Sequence, residues 1–260
     1  MPLYGRSPWK PTFSFCFNCG STLAWHDNLP LVSYLRLMGR CRRCGAVYSS
    51  RYFWIEALCA ALFLLLFLHY GPSLTFLVTA VFAALLIVAT FTDLDEYIIP
   101  DEIAYAGLIL GFLFSGVAHW GVAPGSPLTG GLIVGHPLSA LGGALLGGGF
   151  LYLIGVAGRY VFRKEAMGMG DVKLLGMMGT FLGPANVVVT VFLASCIGAV
   201  FGLSQKAMAA IRHRKSYAYI PFGPYLALAG FLTYFFGRMI LDRLFPPEAL
   251  DLLREVYWGR

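Results

Sequence analysis

Seven apolar stretches constrain this chain more than any other feature. They lie at roughly 52–70, 74–92, 103–120, 138–157, 172–182, 186–203 and 222–236. Most approach the roughly 20 residues that a helix needs to cross a bilayer. The stretch 172–182 is too short for an upright span and stops at Gly183-Pro184. Lipid offers backbone groups no hydrogen-bonding partner, so each stretch should be helical. Only 12% of the residues are charged and 58% are hydrophobic, whereas a soluble domain carries about 25% charged residues. The predicted fold class is an all-α polytopic membrane protein of about seven transmembrane helices.

Charge placement gives an orientation. Lys and Arg number seven in 1–51, three in 159–170 and four in 205–220, while the connections 71–73, 121–137 and 183–185 have none. Seven crossings put every basic segment on one side, which is the positive-inside pattern for a cytoplasmic face. The net charge of +6 therefore reads as a topology signal, and no nucleic-acid partner is expected. Residues 1–50 lack the apolar core of a secretory signal, so they read as a domain that stays on the cytoplasmic side. The predicted division is 1–50, a membrane core 51–239, and an amphipathic tail 240–260 at the membrane surface.

The N-terminal region carries Cys16-Phe-Asn-Cys19-Gly20 and Cys41-Arg-Arg-Cys44-Gly45, separated by 21 residues. Paired cysteines at about this spacing suit a tetrahedral four-thiolate zinc site. A glycine after each pair lets the chain turn back and bring amides to the sulfurs. Two disulfides or a redox pair are the alternative, and a reducing cytoplasm disfavours them. A closed four-cysteine site is structural, so Zn²⁺ would fold this small zinc-ribbon-like domain and take no part in chemistry.

Two carboxylates border apolar stretches. Asp171 lies in GMGDVKLL (168–175) and Asp93 ends the second stretch in TDLDEYIIPDE. Singly, Asp171 reads as a helix cap and Asp93 as the first residue in water. Together on one face, about level with the membrane surface, they suggest the shared-proton pair of an aspartic protease. Gly168 and Gly170 would let backbone approach a substrate strand, with Lys173 supporting the same site. Asp101, after Pro100, reads as a cap. Five of the thirteen acids fall within 93–102 with no base among them, a mouth suited to a cationic segment.

The segments FCFNCGSTLAWHDNLPLVSYLRLMGRCRRCGAVYSSRYFWIEAL, TDLDEYIIPD, GMGDVKLLGMMGTFLG and IPFGPYLALAG, in that order, resemble the type IV prepilin leader peptidase family. These are GxGD-type aspartic peptidases of the bacterial inner membrane. The resemblance runs from about Ser14 to Gly237. It implies that 51–239 is the peptidase core, with Asp93 and Asp171 as the catalytic pair. It also implies cleavage of the basic leader of prepilins or type II secretion pseudopilins at the cytoplasmic face. Many family members then methylate the new N-terminus from S-adenosylmethionine, with the cysteine domain implicated. The family usually opens with a further membrane helix carrying a Gly-Ser-Phe-Leu-Asn signature. This sequence opens MPLYGRSPWKPTFSFC instead, so methyl transfer is expected to suffer more than cleavage.

A presenilin-like protease shares the GxGD idea, but it lacks the cysteine domain and carries Pro-Ala-Leu where this chain has Pro-Phe-Gly-Pro. A zinc-ribbon membrane scaffold or transporter is the non-enzymatic alternative. Between the two aspartates, the helix dipole favours an anion at Asp171, which begins its helix, over Asp93, which ends one. The expectation is thus that Asp171 is the base and Asp93 the protonated acid.

Overall fold

Punctuation residues set where the helices begin. Gly71-Pro72-Ser73 ends one apolar run and starts the next, with Ser73 Oγ accepting the Phe76 N–H at 3.1 Å as an N-cap. His136 Nδ1 accepts the Leu138 N–H at 3.1 Å, and Pro137 follows as the first helical residue, where its missing N–H costs nothing. In the computed structural model, residues 14–120, 136–163, 167–211 and 221–244 are described. Their helices are α1 (Val32–Leu37), α2 (Ser50–Tyr70), α3 (Leu74–Glu96), α4 (Asp101–Trp120), α5 (Pro137–Phe162), α6 (Met169–Ile211) and α7 (Gly223–Leu244). No strand forms among the described residues beyond two isolated bridges.

Six helices, α2 to α7, are long and apolar enough to cross a membrane. The fifth and sixth predicted stretches share one element, α6, whose backbone is broken at Gly183 (φ 74, ψ 168) just before Pro184. Its two arms run in opposite directions. Met178, before the break, and Thr190, after it, both reach Gly230 of α7. In one straight helix those residues would stand about 18 Å apart. Only glycine readily takes the Gly183 conformation, and proline cannot donate to the preceding turn. The short first arm, about 21 Å long at 1.5 Å per residue, is the centre of the bundle. Every residue from Leu174 to Pro184 is buried.

Small residues let other helices close on that arm, as is common where lipid replaces water around a bundle. Gly143 of α5 meets the Gly179 carbonyl, and a Cβ at Gly147 would lie 2.7 Å from the Leu175 carbonyl oxygen. A Cβ at Gly107 of α4 would press on Met177. Phe82 of α3 stacks between Phe181 and Tyr234, with centroids 4.9 and 5.4 Å away. The Tyr234 hydroxyl is satisfied by Thr79 Oγ1 at 2.8 Å. Outward positions stay apolar, as at Leu145, Leu153, Val188, Phe192 and Val200, which suits lipid as solvent.

The chain divides into two compact units, 1–69 and 70–260, so α2 belongs with the cysteine module. The Leu31 N–H donates to Glu56 Oε2 at 2.8 Å, and Tyr34 packs on Phe53 with centroids 5.2 Å apart. These contacts tie α2 to the loops before it. Of the expected amphipathic tail, residues 245–260 lie outside the described residues, as do Lys164, Arg212, Arg214 and Lys215 of the basic connections.

Candidate active site

At one end of the second unit, the C-terminus of α3 meets the N-termini of α4, α6 and α7. Asp93 occupies the last turn of α3 and Asp171 the first turn of α6. Both are buried, at 5% and 7% exposure. Neither carboxylate is paired with a cation among the described residues. Asp95 and Glu96, on the same turn as Asp93, are exposed, as are Asp101 and Glu102. Burial thus distinguishes Asp93 from its near neighbour Asp95.

Gly223, the first residue of α7, completes the pocket. Its N–H donates to Asp93 Oδ2 at 3.0 Å. A Cβ there would sit 3.1 Å from Asp93 Cγ and closer still to Oδ2, so only glycine fits without moving the carboxylate. Ile99, 5% exposed, wedges between the two halves of the site. A Cβ at Gly170 would lie 3.2 Å from Ile99 Cβ, and one at Gly223 would lie 3.2 Å from Ile99 Cδ1. Gly170 therefore makes room for Ile99. Gly168 is exposed, and only the Asp171 carboxylate and the Gly170 amide come near it.

Lys173 and Asp101 are joined across the site. Lys173 Nζ donates to Asp101 Oδ1 at 2.6 Å and lies 5.6 Å from the Tyr105 ring centroid. Asp101, expected as a cap, is instead the anchor that ties the start of α4 to the start of α6. Asp171 is the third residue of α6, which begins at Met169, so it lies inside its helix and does not precede it as a cap would.

The four cysteines form a second site in the first unit. Two like turns build it. Gly20 N–H donates to the Cys16 carbonyl at 2.8 Å and Gly45 N–H to the Cys41 carbonyl at 2.9 Å. Both glycines are left-handed, at φ 69 and 71, as the sequence reading required. All four Sγ atoms lie within 4.8 Å of one another, and Cys16 and Cys44 are 3.8 Å apart. A tetrahedral zinc with ligands at about 2.3 Å needs sulfur–sulfur edges of about 3.8 Å, so the cluster fits the ion. The Cys44 and Arg43 amides, pointing at Cys41 Sγ, lower its thiol to about 6. Hydrogen bonds from Ser21 lower that of Cys19. Both shifts favour the thiolate that a metal requires.

With this geometry described, similarity decides the family. Residues 80–203 match the Type IV leader peptidase family, and residues 2–70 match the Bacterial Peptidase A24 N-terminal domain. A prepilin leader peptidase/N-methyltransferase of Aeromonas salmonicida (strain A449) is 34% identical over 228 residues, covering 87% of this chain and 72% of the relative. The chain belongs to the type IV leader peptidase family. A type 4 prepilin-like proteins leader peptide-processing enzyme of Escherichia coli O78:H11 is 36% identical, covering 85% of this chain and 74% of that one. The prepilin leader peptidase/N-methyltransferase of Pseudomonas putida is 33% identical, covering 87% and 73%. No solved structure matches. Sequence reasoning missed Gly223 as a site residue, although IPFGPYLALAG was among the segments carrying the resemblance. A backbone donor leaves no chemical mark in a sequence.

Proposed function

We propose that this protein is a membrane aspartic endopeptidase that removes the basic leader of type IV prepilins or type II secretion pseudopilins. The observation that carries this reading is the burial, at the same end of the helix bundle, of two carboxylates with no cationic partner among the described residues. A buried unpaired charge is costly, and two close carboxylates reduce the cost by sharing one proton. That arrangement supplies a base and an acid at one point. The family and its relatives' names supply the substrate class. The basic segments support a cytoplasmic face in the bacterial inner membrane. The exposed acids Asp95, Glu96 and Glu102 suit a cationic leader.

The contacts support roles opposite to those expected from helix direction. Asp93 ends its own helix, but it accepts a fixed N–H from the start of α7, and such a bond favours the ionised form. Asp93 is the base. It takes a proton from water as the oxygen adds to the scissile carbonyl, and Asp171 gives its proton to the carbonyl oxygen. On collapse, Asp93 protonates the departing nitrogen and Asp171 recovers its proton from the second hydroxyl. Incubation of the full chain with a prepilin, followed by intact-mass analysis, tests the reading. Loss of the leader mass is expected, and an unchanged substrate would sink it.

Cys16, Cys19, Cys41 and Cys44 would hold one structural Zn²⁺, which when bound cross-links the two turns. Purified protein should contain about one zinc per chain, dropping on Cys41→Ser. Stoichiometric disulfides in reduced preparations would exclude this site. Lys173 positions α6 against α4. Lys173→Met should lower cleavage severalfold while changing stability little, because the pair is partly exposed. Unchanged turnover would leave the pair without a role in the site. The cysteine module, matched over 2–70, favours this family over a presenilin-like protease. We further propose N-methylation of the new N-terminus from S-adenosylmethionine, in keeping with the relatives' names.

A further inference from the structure

Of the helices long and apolar enough to cross a membrane, α2 is the one that belongs with the cysteine module. Its 21 residues measure about 31 Å at 1.5 Å per residue, only just the roughly 30 Å of a bilayer's hydrocarbon core. Its first turns therefore stand at the headgroup boundary. Their side chains agree. Tyr52 and Trp54 are exposed, as in the aromatic belt that marks a membrane surface.

The short helix α1 is pinned at that level. The Leu31 N–H donates to Glu56 Oε2 at 2.8 Å, and the Tyr34 ring packs on Phe53. Tyr34 thus faces the start of α2. Val32, Leu35 and Met38 are instead exposed, at 56%, 66% and 83%. Three large apolar side chains stand open beside the first turns of a membrane span. Leu31 and Met38, which flank α1, both hold positive φ, at 60 and 50, an uncommon state for side chains of this size.

Charge says what covers them. Residues 1–51 hold seven Lys or Arg and a single acid, Asp27, a surplus equal to the chain's whole net charge of +6. Asp27 is already paired with Arg42. Arg36 is exposed, as are Arg40 and Arg43. Val32, Leu35 and Arg36 share one face of α1, at i, i+3 and i+4. A cationic leader would be repelled by such a surface, whereas the phosphates of anionic lipids would be drawn to it. Apolar side chains beside an arginine, level with the boundary, are what a segment lying in the interface presents.

We propose that this face of α1 is a membrane-insertion surface for an anionic bilayer. Val32, Leu35 and Met38 enter the boundary beside α2, and Arg36 meets lipid phosphate. A single span would leave the module free to swivel about one helix. A second point of attachment fixes its tilt against the bilayer.

The test places a diazirine-bearing photoleucine at position 35 of the full chain, in a nanodisc of equal parts phosphatidylglycerol and phosphatidylcholine. Intact mass after irradiation identifies what the side chain touches. Lipid adducts should dominate. Phosphatidylglycerol should be captured roughly fivefold more than phosphatidylcholine, the scale of one arginine near an anionic surface. Arg36→Gln should bring that ratio down toward one while the thermal midpoint stays put, because Arg36 is exposed. Equal capture of the two lipids with Arg36 in place would overturn the choice of an anionic surface. Insertion of water would show a solvent-facing helix. Bonds to the rest of the chain, to a second copy or to added prepilin would show a protein-docking face. Either result would overturn the proposal.

Discussion

Asp93→Asn and Asp171→Asn are each expected to lower leader cleavage by about 10²–10⁴-fold, the usual contribution of a positioned acid or base. Asparagine keeps the shape and still accepts the Gly223 N–H, so the pocket should stay assembled. It cannot cycle a proton. The variants should insert and hold zinc as wild type does, because the cysteine cluster lies in the other compact unit. They also separate the two roles. Infrared difference spectra at neutral pH should show a protonated-carboxyl band that persists in Asp93→Asn and vanishes in Asp171→Asn. The opposite pattern would make Asp171 the base, as its position at the start of α6 alone would suggest. Wild-type turnover by either variant would remove that aspartate from the mechanism.

The second large effect concerns a residue with no side chain. Gly223→Ala should cut cleavage by about 10²-fold, the scale on which a small misplacement of a catalytic group acts. The added methyl collides with the Asp93 carboxylate and crowds Ile99, so either Asp93 turns away or α7 shifts. Helical glycine to alanine ordinarily favours the helix by up to about 1 kcal/mol. Thermal stability should therefore change little while turnover falls, a split that simple misfolding would not give. Equal loss of stability and activity would show that Gly223 is only a packing residue.

Much of this was legible because its causes are local. Apolar length announces the spans, and Cys-x-x-Cys-Gly announces the paired cysteine turns. Two carboxylates at apolar borders announce a pair. What escaped the sequence depends on contacts across the fold. Gly183-Pro184 was visible as a stop. That the two arms of α6 fold back on each other follows only from Met178 and Thr190 meeting the same glycine. The Lys173–Asp101 pair joins residues 72 positions apart, so Asp101 looked like a local cap. The proton assignment was inferred from each aspartate's own helix. The opposite assignment proposed above rests on a third helix, which sets the Gly223 amide on Asp93.

The account stands most directly on one measurement, the intact mass of a prepilin after incubation with the purified full chain. Wild type should convert it to the mass lacking the leader, while Asp93→Asn and Asp171→Asn should leave it whole. Conversion by either asparagine variant at the wild-type rate would contradict the central claim that these two buried carboxylates do the cutting.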